Sequence, residues 1–164
     1  MKLLRREEDE FELEFALEEK SLFFHLLGLY PAVPASYHRL TKGKKIRNQD
    51  ENQQLLDDAI QAQRETNQKE IFKLVSKHGR FTDGEENSRA VFKRDELEWL
   101  LQVINDVRIG CWIALGSPGA ADERKLKRDK NSLRQLMMME IAGGFEMFIL
   151  GVVSGRMKPG ADEE

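Results

Sequence analysis

Between Asp95 and Leu115 the chain reads DELEWLLQVINDVRIGCWIAL, and no other stretch limits the possible folds as strongly. At 100° per residue, Leu97, Leu100, Leu101, Ile104, Val107, Cys111 and Leu115 share one broad helical face. Trp99, Val103, Gly110 and Ile113 line a second side, leaving a narrow polar arc around Glu98, Gln102 and Asn105. A helix apolar on two sides is packed on two sides, so this one is predicted to run through the middle of the domain. Arg108 projects into the first face, between Leu101 and Ile104. A guanidinium cannot shed its charge, so a buried one requires a carboxylate or several acceptors beside it.

The other elements are read from their periods. Phe11, Leu13 and Phe15 alternate with Glu12 and Glu14, the pattern of a half-buried strand, and residues 2–6 can pair with it across Glu7–Glu10 as a hairpin. From Leu17 the spacing becomes helical: Leu22, Phe23, Leu26, Leu27 and Tyr30, closed by Gly28 and Pro31. After a loop with Pro31 and Pro34, Asn48 or Asp50 caps a long helix reaching about His78. Its apolar side carries Leu55, Leu56, Ala59 and Ile60 at one end and Ile71, Leu74 and Val75 at the other, with Gln63 and Asn67 between. These amides are either solvated, where the helix outruns the core, or hydrogen-bonded inside it, and because buried amides are uncommon the solvated reading is favoured. Asp83-Gly84 marks a turn, and residues 90–93 read as a short extended piece before the central helix.

The last helix, from about Asp129 to Ser154, is apolar almost all round, as expected at the centre of a fold or in a subunit interface. Gly144 and Gly151 fall on one line with Leu133, Met137 and Glu140, a strip on which another helix can approach closely. Glu140 is therefore the predicted partner of Arg108. The expected fold is mainly α: a bundle of about four helices with a small N-terminal β-hairpin. A single domain over residues 1–157, a loose tail over 158–164, and a homodimer are expected.

A length of 164 residues fits one domain with a substantial core. The formal net charge of −3 hides an asymmetry, with an acidic N-terminus and two basic clusters. Lys44, Lys45 and Arg47 belong to the first cluster; Arg124, Lys125, Lys127 and Arg128 belong to the second. They are solvated runs or contacts for an anionic partner. Sparse neighbouring aromatics and the negative total argue against nucleic acid. A lone cysteine, Cys111, excludes an internal disulfide and fits a reducing compartment. The N-terminus has no continuous apolar segment, and Glu140 and Glu146 interrupt the apolar run of the last helix. A cytoplasmic chain without a membrane span is expected.

His25, His38 and His78 lie on separate elements without zinc-type spacing, so no metal or cofactor is predicted. Asp106 lies about 160° round the helix from Arg108, which keeps the two from forming one catalytic site. Arg108, Asn105 and Asp106 are read either as structural anchors or, for Arg108, as a grip on an anionic ligand.

Trp99, followed after five residues by Asn105-Asp106-Val107-Arg108 and an apolar tail, resembles the Trp…Asn-Asp-Leu-Arg-Leu signature of an uncharacterised bacterial family, domain of unknown function 2017. The likeness extends to a strand-like start, a Leu-rich helix, a proline-containing loop and a long helix bearing an arginine, here Arg64. Where the family continues Gly-Thr-Arg-Leu, this chain reads Gly110-Cys111-Trp112-Ile113 and lacks the second arginine. The resemblance implies a bacterial cytosolic protein of mainly helical fold. It also implies a protein partner linked to regulated proteolysis, and it assigns no activity. The functional expectation is a non-enzymatic protein-interaction or regulatory module. The alternative is a hydrolase-like enzyme whose site assembles across helices around Arg108.

Overall fold

The computed structural model describes residues 1–39, 48–76, 80–119 and 130–160. Strands β1 (Lys2–Glu7) and β2 (Glu10–Ala16) form the expected hairpin, and helix α1 (Leu17–Leu27) follows directly. A short 3-10 turn (Ala35–Tyr37) precedes helix α2 (Gln49–Ser76). Then come β3 (Phe81–Asp83), β4 (Asn87–Lys93), helix α3 (Arg94–Ala114) and helix α4 (Lys130–Val153).

The expectation of a helical bundle carrying only a hairpin is overturned. The described residues contain a four-stranded antiparallel sheet in the order β1-β2-β4-β3, and it forms one wall of the core. In β4, Ser88, Ala90 and Phe92 point inward and Arg89, Val91 and Lys93 outward. Only Phe92 of the inward set is strongly apolar, so the period-2 signal of the strand is almost silent in the sequence. Its register on β2 sets Phe11 opposite Phe92, Leu13 opposite Ala90 and Phe15 opposite Ser88. Small residues in β4 thus leave room for large ones in β2. The outer face carries matched charges, with Arg89 on Glu14 at 3.1 Å and Arg5 on Glu12 at 3.2 Å.

Helices α1, α3 and α4 join the inner face of the sheet in one core. Phe11, Leu13, Phe15 and Phe92 from the strands are buried together with Phe23, Leu97, Leu100, Ile104 and Val107. Burying such side chains stabilises by about 1.5–3 kcal/mol each relative to exposure. Arg94 Nη1, at the start of α3, donates to Val153 O at the end of α4 (3.1 Å), so these helices run antiparallel. From α4, Ala142, Phe145, Ile149 and Val152 face the core.

Helix α2 lies to one side, and only Asn67, Ile71 and Leu74 along it are buried. Leu55 is 68% exposed. The helix does outrun the core at its N-terminal end, but Asn67 is not a solvated amide. It is 7% exposed and fully engaged inside the fold.

Candidate functional site

Arg108 does not enter the core. Its side chain is 44% exposed at the seam between α3 and α4, where Nε lies 2.9 Å from Glu146 Oε2. Its Nη2 donates to Asn105 Oδ1 at 3.2 Å. The expected pairing with Glu140 is therefore corrected: Glu140 is exposed on the outside of α4. Six residues turn a helix by about 240°, so Glu140 and Glu146 cannot share a face. A helix apolar on every side gives the wheel no means of choosing which face is inner. The choice fell on Phe145 and Ile149, and Glu146 came with them to the seam.

Asp106 has a separate task. Its Oδ1 accepts the backbone N–H of Ala32 at 2.7 Å and of Val33 at 3.3 Å. One turn along, Gly110 admits the same loop: a Cβ there would stand 2.4 Å from Ala32 Cβ and 2.5 Å from its carbonyl carbon. On the other side of the loop, Arg64 Nη2 donates to Val33 O at 2.6 Å. Residues 30–33 are therefore clasped between α2 and α3.

The clasp continues through Asn67. Its Nδ2 donates to the Tyr30 hydroxyl at 2.8 Å, while Oδ1 accepts from Trp99 Nε1 at 3.1 Å and from Gln63 Nε2 at 3.0 Å. A buried amide oxygen with two donors has both lone pairs satisfied. Trp99 thus joins Asp106 in the same network, through α2 rather than along its own helix. Sequence reasoning missed Asn67, Tyr30 and Arg64 as partners. The one available signal was the pair of amides, Gln63 and Asn67, on an otherwise apolar stripe.

Beside this network, α2 and the first turns of α3 enclose a cleft of about 750 Å³ walled by Asn67, Leu74, Phe92, Glu96, Trp99 and Leu100. The guanidinium of Arg80 lies over the Phe92 ring at 5.0 Å, and its Nη2 is 2.7 Å from Glu96 Oε2. At the rim, Lys73 pairs with Glu70 at 2.6 Å.

Lys44, Lys45, Arg47, Arg124, Lys125, Lys127, Arg128 and His78 lie outside the described residues. His25 is exposed on α1, and His38 follows the 3-10 turn. Among the described residues no group of three His, Cys, Asp or Glu side chains gathers where a metal ion could be held. Cys111 is buried, and burial raises its thiol pKa, which keeps it protonated and inert. Arg108, Asp106 and Glu140 are aimed at the α4 seam, the 32–33 loop and solvent respectively, so they form no common site.

Helix α4 carries several exposed apolar side chains. Leu133, Met137, Met147 and Leu150 are exposed, Met147 by 77%. Between them, a Cβ built on Gly143 or Gly144 would meet no atom of the described residues within 4 Å. An 18-residue window of this helix has a mean hydropathy of 1.8, and only 28% of it is buried inside the fold. By length and composition alone α4 could cross a membrane. No family model, characterised protein or solved structure matches the chain.

Proposed function

We propose that this protein is a non-enzymatic protein-interaction module of the bacterial cytoplasm that works as a homodimer. One observation carries the reading: α4 turns Leu133, Met137, Met147 and Leu150 to solvent while its opposite face holds the core. Contiguous apolar surface on a folded domain marks a place where another surface docks. Methionine suits such a surface, because its unbranched thioether adapts to the partner it meets. The polar residues also favour this reading over a site centred on Arg108. The carboxylate of Asp106 is occupied by the Ala32 and Val33 N–H groups, and the guanidinium of Arg108 by Glu146 and Asn105. Both act as fasteners between segments of the chain.

Sedimentation velocity over a hundredfold range of protein concentration tests the proposal. A concentration-dependent shift from monomer to dimer, abolished by Met147→Lys, is the expected result. A strict monomer throughout, or a dimer indifferent to Met147→Lys and Met137→Lys, overturns it.

A further inference from the structure

We infer that the cleft between α2 and α3 binds a small organic acid, a single carboxylate on a compact apolar body, through the guanidinium of Arg80. This goes beyond the homodimer reading and does not depend on it. Arg80 stands just before β3 and lines the cleft, with its side chain 17% exposed. Its Nε and Nη2 are buried, and among the described residues neither has a hydrogen-bond acceptor. Glu96 Oε2 approaches Nη2 to 2.7 Å, but off the line of its N–H bonds, so it supplies charge without a hydrogen bond. That oxygen is already committed, accepting the Lys93 N–H at 2.8 Å where α3 begins.

Nε and Nη2 form one edge of the guanidinium, two parallel donors at the spacing of the two oxygens of a carboxylate. Buried donors left unpaired are costly, and the neighbouring polar groups of the cleft are matched: Trp99 with Asn67, Lys73 with Glu70. What the site lacks is a pair of acceptors. A planar carboxylate fills both places at once.

The surroundings select the rest of the ligand. Phe92, 5.0 Å from the guanidinium it lies under, joins Leu74, Trp99 and Leu100 as apolar wall. A volume of about 750 Å³ takes a whole small molecule. Glu70, Asp95 and Glu96 also line the cleft and oppose a second negative charge, which selects a monoanion over a phosphate or a diacid. Both donors are shielded while Arg80 rests on Phe92. Its long side chain lets the guanidinium slide across the ring face to meet an entering acid.

Phenylbutyrate, with phenylbutyramide as its uncharged counterpart, tests the site by calorimetry and NMR. Saturable binding of the acid is expected, with the amide weaker by about tenfold or more. The Arg80 Nε–H cross-peak should move downfield as the acid is added, and the Trp99 indole N–H cross-peak should move with it. Arg80→Lys, checked for folding by circular dichroism, keeps the charge but loses the paired donors and is expected to weaken binding by about tenfold or more. No saturable binding of phenylbutyrate, octanoate or benzoate up to about 10 mM overturns the inference. So does equal binding of acid and amide, or binding that leaves the Arg80 Nε–H cross-peak unmoved; these two readouts on the parent protein decide the matter even if Arg80→Lys fails to fold. An acetylated peptide ending in phenylalanyl-leucine that binds more than about tenfold tighter than phenylbutyrate would assign the site to chain ends and overturn the small-acid reading. Sedimentation of the same samples follows the homodimer separately, so either reading can fail without the other.

Discussion

The carboxylate of Asp106 and the backbone of Ala32 are held together at 2.7 Å, and the glycine one turn away makes that approach sterically possible. Asp106 supplies the acceptor, while Gly110 supplies the space. Two predictions separate these contributions. Asp106→Ala leaves two loop N–H groups without their acceptor and is expected to cost about 1–3 kcal/mol, read by urea denaturation. Asp106→Asn keeps an oxygen in place and should lose less. Gly110→Ala gains about 1 kcal/mol of helix propensity but drives a methyl into backbone atoms. A net loss of about 1–3 kcal/mol is expected from overpacking, with the loop displaced.

Arg108 and Glu146 make an asymmetric pair: the arginine is 44% exposed, whereas Glu146 is 13% exposed with one oxygen lacking a hydrogen-bond partner. Removing the arginine leaves the carboxylate stranded at the seam. Arg108→Met is therefore expected to destabilise more than the double variant Arg108→Met/Glu146→Leu, which removes both charges. Glu140→Gln, in solvent on the far side of α4, should lie within about 0.5 kcal/mol of the parent in monomer stability. Thermal or chemical denaturation of the four proteins decides it. Equal losses in the single and double variants would show that the pair is not coupled.

These residues also mark how far the sequence could be read. The hairpin is legible because Phe11, Leu13 and Phe15 alternate with glutamates. The wider sheet is not, because Ser88 and Ala90 are buried by position rather than by their own hydrophobicity. The long helices are legible from their apolar spacing. The wheel of α3 placed Arg108 inward because it reports the direction of Cβ and ignores the reach of a long side chain to the rim. On α4, apolar all round, no wheel could choose between Glu140 and Glu146. Asn67 looked solvated because its partners, Trp99 and Tyr30, come from distant parts of the chain.

Asn67 joins α2 to Tyr30 and Trp99, so its loss should be visible in two ways. Asn67→Ala leaves the indole N–H and the phenol without their partner and is expected to cost about 1–3 kcal/mol. Because Trp99 Nε1 is bonded to Asn67 at 3.1 Å, the same substitution should shift the tryptophan emission. Asn67→Asp, which keeps the acceptor oxygen but buries a charge, should also destabilise. An unchanged spectrum and unchanged stability would show that the amide is not the fastener of α2.

Asp83 links the β3–β4 turn to α1, accepting from Lys20 Nζ at 2.6 Å and Ser88 Oγ at 2.5 Å. The hydrogen bond from Lys20, then that from Ser88, hold its pKa below the ordinary value. A depressed folded pKa adds stability that is complete above the unfolded carboxylate's pKa. It is lost as pH falls through that value toward the folded one. The stability gap between the parent and Asp83→Asn should therefore be widest near neutrality and close in acid. A gap that grows on acidification contradicts the sign. The group is solvent-exposed, so the effect should also shrink in high salt.

Gly144 separates the stability of one chain from the association of two. Within a single copy it is a mid-helix glycine whose Cβ position no described residue approaches within 4 Å. Gly144→Ala should therefore raise monomer stability by about 1 kcal/mol through helix propensity. Gly144→Leu should also leave the monomer at least as stable as the parent, since no neighbour is displaced. In the proposed homodimer, however, the leucine stands on the exposed face of α4 where the second copy must dock. Sedimentation should then show the dimer weakened at least tenfold while urea denaturation at dilute concentration shows no loss. A substitution that harms association without harming the fold has its contacts outside the chain. If Gly144→Leu destabilised the dilute monomer instead, the strip would be packed from within, and the uncovered face on which the dimer rests would not exist.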